Sequence, residues 1–184
     1  MLVVNPFNIL GVSILKPKIH ADERGRIISV YDYDQLRELC GLEDPFIHSD
    51  VYHLVARGLV GLYYQERNPR ASIHHCVAGR AQVVAVDLRE GSRTFGKFVQ
   101  TIIDSYTCFG FFTPRGFATG CIGIGGGTVV VSEHTTRHDI TDQKVLKWDD
   151  STVGVNWGSM GGTPLLGQRE RAGVALNVIQ PYKG

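Results

Sequence analysis

Apolar and polar positions along this chain exchange in short runs, and most of the runs have period two. Over residues 46–54, Phe46, His48, Asp50, Tyr52 and Leu54 fall on one face, because successive side chains of a strand point to opposite sides. Over 71–77, Ser72, His74 and Cys76 share one face, and Ala71, Ile73, His75 and Val77 share the other. The next run, AQVVAVDL over 81–88, is almost wholly β-branched or small and apolar, which predicts a strand buried in a sheet. Ala78-Gly79-Arg80 is read as a hairpin turn between these two strands, with Gly79 free to take a positive φ. Shorter strands are predicted over 12–15, 26–31, 95–103 and 108–113, with two more around Gly125-Gly126-Gly127. Asp32 and Asp34 can cap one short helix over 35–40, and PLLGQRERAGVAL near the end can form another. About ten to twelve short strands with so little helix predict an all-β jelly-roll barrel with short peripheral helices.

Composition narrows this picture. The chain has 184 residues, which suits one domain over 1–184, with 145–184 read as a C-terminal extension packed on the barrel. Such a length buries a core without metals or disulfides. The net charge of +1 gives no global field to draw nucleic acid or a membrane surface. Cys40, Cys76, Cys108 and Cys121 show no CxxC spacing and read as reduced core residues of a cytoplasmic protein. The apolar start, MLVVNPFNILGV, lacks a basic flank and is interrupted by Pro6, so neither a signal peptide nor a membrane span is expected.

The order of motifs carries a resemblance. HADERGRIISVYD, GLVGLYYQ, GRAQVVAVDLREGSRTFGKFV, TPRGFATG and KWDDSTVGVNW together resemble the cupin-type dTDP-4-dehydrorhamnose 3,5-epimerase family over about residues 19–176. That resemblance implies a jelly roll, a homodimer, a nucleotide sugar bound inside the barrel and no metal or cofactor. It also implies proton abstraction beside a 4-keto group followed by reprotonation on the opposite face. Such chemistry needs a base, an acid and a donor or cation for the enolate oxygen. At the motif positions the groups are exchanged. Val60 stands where the family's phosphate-binding arginine would be, Tyr63 at its base histidine and Ser72 at its lysine. A paired aspartate falls on Val83, the acid tyrosine on or near Val131, and the aspartate that orients the base near Glu170. Thr119 takes the place of a histidine, His48 and Asp50 replace the nucleotide-contacting pair, and Ile27 and Ser29 replace the FxE pair. Arg24 keeps a phosphate-ligand position. A tyrosine with an ordinary pKa near 10 is a poor base at pH 7, so 3,5-epimerisation by the family's own route is expected to be lost.

The replacements are themselves chemical groups. His74 and Tyr63 are the first candidates for a new acid–base pair, with Asp50 orienting a histidine. Arg24, His48, Tyr52, Ser72, Gln65 and Thr119 are candidates for substrate contacts. His53 and His75, on the opposite faces, are read as packing residues. Arg57, Arg67, Arg70 and Arg115, like Arg24, could meet a phosphate, but are read first as solvated surface, with Arg115 placed where it could lie near the mouth. His48, Asp50 and His74 have the types of a metal set, but HxH spacing is missing and no metal is assigned. Three readings follow. The first is an epimerase or isomerase on a nucleotide-linked keto-sugar with a reassigned acid–base set. The second is a repurposed barrel performing another isomerisation, cyclisation or elimination on a non-nucleotide intermediate. The third is a non-catalytic homologue.

Overall fold

A computed structural model describes residues 3–9, 11–158 and 161–184; Met1, Leu2 and Leu10 of the apolar start lie outside them. Among the described residues, twelve strands and two short α-helices follow one another. They are β1 (Val3–Pro6), β2 (Ser13–Lys16), β3 (Lys18–Asp22), β4 (Gly25–Ser29), α1 (Tyr33–Cys40), β5 (His48–Leu54) and β6 (Gly58–Gln65). After these come β7 (Ser72–Asp87), β8 (Phe98–Asp104), β9 (Gly110–Thr113), β10 (Phe117–His134), β11 (Gln143–Val145), β12 (Leu165–Leu166) and α2 (Gln168–Arg171). Asp32 caps α1 by accepting from the Gln35 N–H at 3.1 Å, and Gly41 ends it in the left-handed conformation. Both predicted helices are present. No helix among the described residues is long and apolar enough to cross a membrane.

The hairpin expected at Ala78-Gly79-Arg80 is not there. β7 runs straight through it as one strand, and β10 likewise runs through Gly125–Gly127. Residues 72–78 of β7 pair with 129–134 of β10, and residues 80–87 pair with 117–124. Gly79 alone therefore faces the four residues 125–128, a wide bulge that bends both strands at one point. The positive φ foreseen at Gly79, +69°, serves this bend rather than a turn. Val77 is also extra between the Cys76–Val130 and Ala78–Val129 pairs, so the inward face of β7 changes from Cys76 to Val83 across the bend. A turn and a bulge both break the alternation at a glycine, so sequence pattern does not separate the two cases.

The bend turns one pair of strands into the spine of two sheet halves. On the first half, β5 flanks β10 while β9, β2 and β1 follow from β7. On the second, β8 flanks β7 while β6, β11 and β12 follow from β10. This is the jelly roll, and the candidate site lies between its halves. One core cluster, with Cys76, Phe111 and Val130 from the first half and Val83, Phe117 and Cys121 from the second, fills the space beside it. A further cluster outside the second half takes in Leu62, Tyr64, Val84 and Leu146, and the C-terminal segment adds Trp157, Leu176 and Ile179. β3 and β4 form a separate, exposed two-stranded hairpin. All four cysteines are free.

The DLR-x-x-SxT run of the resemblance has a structural task. Asp87, wholly buried, accepts from Arg89, Ser92 and Thr94. Burial pushes its carboxyl up, but those donors outweigh it and hold the pKa down to about 2.

Candidate functional site

The site begins with a bulge in β6. Tyr63 pairs with Thr119 and Val60 with Cys121, so two residues, Gly61 and Leu62, oppose Gly120 alone. The extra residue reverses the alternation, and Val60 and Tyr63, three apart, come to face the same interior. Only glycine fits at 61. Its φ is +105°, and an added Cβ would lie 2.6 Å from the Thr119 carbonyl oxygen. Leu62 and Tyr64 point instead into the core cluster outside.

Two connected cavities result. An open cleft of about 430 Å³ is lined by Tyr63, Arg67, Arg70, Ser72, Thr119 and Lys183, among others. Behind it a cavity of about 10 Å³, water-sized, is lined by Tyr52, Val60, His74, Cys121 and His134. Tyr63, Arg70 and Thr119 line both and form the throat between them.

Tyr63 donates its hydroxyl to Glu170 Oε1 in a short hydrogen bond. Glu170, 6% exposed, also accepts from the Gly61 N–H at 3.3 Å. The guanidinium of Arg169 stands over the Tyr63 ring, 5.4 Å from its centroid. Burial raises the phenol's pKa first, and the Glu170 hydrogen bond and charge add to this, while Arg169 opposes them. The net effect leaves Tyr63 a neutral phenol bonded to a carboxylate, able to receive a proton on oxygen as it passes its own on.

His74 sits on the inward face of β7, with Nδ1 2.5 Å from Ser132 Oγ and Nε2 buried without a partner. Burial, then the Arg70 charge, holds its pKa down to about 3. The ring is therefore neutral at pH 7 and a weak base. It lines only the small cavity, so the expected His74–Tyr63 pair does not meet the cleft as a unit. Asp50 orients one histidine, His48, and not His74. Its Oδ1 is 3.2 Å from His48 Nε2, and its Oδ2 is 3.6 Å from His134 Nε2, beyond hydrogen-bond reach. His134, 1% exposed, has Nδ1 2.8 Å from Ser72 Oγ. Burial, and Arg70 next, depress its pKa to about 2.

The other expected contacts divide. Ser72 and Thr119 line the cleft, and Tyr52 lines the cavity behind it. Gln65 touches the cleft wall, yet its amide holds the adjoining loop, donating to the Asn68 carbonyl at 2.8 Å and accepting from the Asp139 N–H at 3.1 Å. His48 lines neither cavity. Arg24 stands at the tip of the β3–β4 hairpin, 80% exposed and paired with Asp22, and reaches neither cavity. His53, read as a packing residue, lies on the opposite face of β5 from Tyr52 but is exposed there. His75 packs on the other face of β7, stacked on Tyr31 with centroids 6.3 Å apart. Among the described residues no three His, Cys, Asp or Glu side chains converge as a metal set.

Sequence reasoning missed three interior groups. Arg70, assigned to the solvated surface, is buried, at 8% exposed. It follows Pro69 in a loop, where no periodicity exists to betray an inward side chain. His134 was foreseeable, since it continues the inward alternation of Val130 and Ser132 along β10. The same alternation puts Ser132 inward, where the resemblance looked to Val131.

This geometry agrees with what the chain is similar to. A family model described as dTDP-4-dehydrorhamnose 3,5-epimerase matches residues 6–177. The chain belongs to this family. It is 30% identical over 163 residues to a dTDP-4-dehydrorhamnose 3,5-epimerase of Neisseria gonorrhoeae, covering 88% of this chain but only 49% of that protein. It is 28% identical over 158 residues to the Salmonella typhimurium enzyme of that name, covering 85% of this chain and 86% of that one. Among solved structures, dTDP-6-deoxy-D-glucose-3,5-epimerase of Legionella pneumophila, in complex with dTDP-4-keto-L-rhamnose, superposes with a TM-score of 0.93 at 27% identity over 97% of this chain and 95% of that one.

Proposed function

We propose that this family member is an epimerase or isomerase acting on a dTDP-linked 4-keto-6-deoxy sugar, by proton transfer through a reassigned set of groups. The observation that carries this reading is the Tyr63–Glu170 pair in the throat. The base position of the family is filled by a phenol that is already hydrogen-bonded to a carboxylate. In the forward step the C–H bond beside the keto group breaks, its proton passes to the Tyr63 oxygen, and the phenol's own proton passes to Glu170. The electron pair moves through the new C=C bond to the carbonyl oxygen. Reprotonation needs a donor on the other side. Tyr52 supports that role. It belongs to the other sheet half, pairs in register with Val130, and has its hydroxyl at Ser132, next to the expected position of the acid tyrosine. Burial, and then Asp50, keep this phenol protonated.

For the nucleotide, Val60 replaces the phosphate arginine and Arg24 lies away from the cleft. Beside Arg70, Arg67 and Lys183 line the cleft and are the cations placed to meet a diphosphate. The same loss favours the second reading, a non-nucleotide substrate. Calorimetric titration with dTDP and NMR detection of deuterium at C3 and C5 of dTDP-4-keto-6-deoxyglucose in D₂O separate the two. Binding with deuterium uptake supports the nucleotide-sugar enzyme. Neither binding nor uptake overturns it. The family resemblance further implies a homodimer, so light scattering should give twice the chain mass of 20.3 kDa.

A further inference from the structure

Burying a cation is expensive unless something pairs with it. Among the described residues, no hydrogen bond or ion pair holds the Arg70 guanidinium, and its Nη1 is buried without a partner. Its loop is nevertheless fixed. Gln65 holds the Asn68 carbonyl at 2.8 Å, and Asp142, 1% exposed, accepts from the Arg67 and Asn68 N–H groups at 2.9 Å each. Among the described residues, Arg70 is the one cation lining both the cleft and the cavity behind it. The neighbouring carboxylates do not bond to it: Glu170 accepts from Tyr63, and Asp50, bonded to His48, attracts the guanidinium only through its charge. Ser72, at the position of the family's lysine, is neutral and bound to His134.

We infer that Arg70 is a catalytic residue whose free N–H groups hold the substrate's carbonyl oxygen as it becomes an enolate oxygen. This rests on the reading above. When the C–H bond breaks toward Tyr63, the electron pair ends on that oxygen as a negative charge. The guanidinium then gains the anion that the fold withholds from it. When the pair returns to carbon and a new C–H bond forms, the charge on oxygen is discharged. A preorganised donor aimed at developing charge acts mostly on the transition state, so it changes turnover more than substrate affinity.

The test compares the unsubstituted protein with Arg70→Gln and Arg70→Lys. It measures deuterium uptake into dTDP-4-keto-6-deoxyglucose, the affinity for that sugar nucleotide and the thermal midpoint. Arg70→Gln should lose about 10²–10³-fold in uptake rate, the usual cost of one oxyanion donor, while affinity stays within about threefold. Uptake by Arg70→Gln within about threefold of the unsubstituted rate overturns the assignment and leaves the proposed activity standing. No uptake by the unsubstituted protein overturns that activity, and the Arg70 role with it. If Arg70→Gln does not fold, Arg70→Lys decides. A lysine cannot reproduce the planar fork, so a loss of about tenfold or more at unchanged affinity supports the assignment, and an unchanged rate overturns it.

Discussion

At the scale of single residues, the interior of the site sets neutral histidines and phenols around one buried cation, Arg70, with the Glu170 carboxylate bonded to Tyr63. His74 and His134 both carry depressed pKa values, through burial and then the charge of Arg70. That makes His74 a poor base, and the working proton acceptor is placed at Tyr63 and Glu170. Removing a proton-transfer group costs about 10²–10⁴-fold, and Glu170→Gln, which keeps a hydrogen-bond acceptor but loses the charge, should fall in that range. His74→Gln should fall by less than about tenfold, because the His74 ring is a weak base whose Nδ1 is already engaged by Ser132. Exchange rates by NMR check both, and a larger loss in the His74 variant than in the Glu170 variant reverses the assignment. Residues on regular strands were legible at this scale. Ser72, His74, Tyr52 and Thr119 all proved interior or cleft-lining. Arg70 was not legible, because its burial depends on a loop path, and a cation's default place is the surface.

At the scale of elements, bulges set the geometry, and two of them shape the site. One, in β6, brings Tyr63 onto the face of Val60. The other, opposite Gly79, bends β7 and β10 into two sheet halves and so creates the space between them. Gly79→Ala places a Cβ 3.0 Å from Thr128 Oγ1 at a φ of +69°, and should cost about 1–3 kcal/mol. Denaturant unfolding measures it, and an unchanged midpoint would mean the bend does not need the left-handed backbone. Strand existence and type were readable from alternation, and the helix start from Asp32. The continuity of β7 and β10 was not, since a glycine in a strand run marks either a turn or a bulge, and only the partner strand decides.

At the scale of the whole molecule, three histidines are buried in neutral form. Their pKa values are held down to about 3 for His74, about 4 for His75 and about 2 for His134, burial being the first cause in each. In the unfolded chain each takes a proton below about 6.5, whereas in the fold each does so only near its depressed value. The unfolded state therefore binds more protons between these limits, and stability must fall as pH falls from about 6.5 toward 4. The loss should reach several kcal/mol, on the order of 1.4 kcal/mol per unit per histidine. Thermal midpoints between pH 7 and pH 4 read this directly, and a flat profile would place these rings in contact with water. The jelly roll itself was legible from composition and strand count, and the family from the order of its motifs. The exchanged chemistry lies within that preserved shell, and fold alone does not decide what it does.

The most direct measurement is the rate of solvent deuterium uptake at the carbons beside the keto group of dTDP-4-keto-6-deoxyglucose, for the unsubstituted protein and Tyr63→Phe under identical conditions. Uptake should exceed the protein-free rate and fall about 10²-fold or more in the phenylalanine variant, which keeps the ring and loses only the hydroxyl. Equal uptake by both proteins would contradict proton transfer through Tyr63.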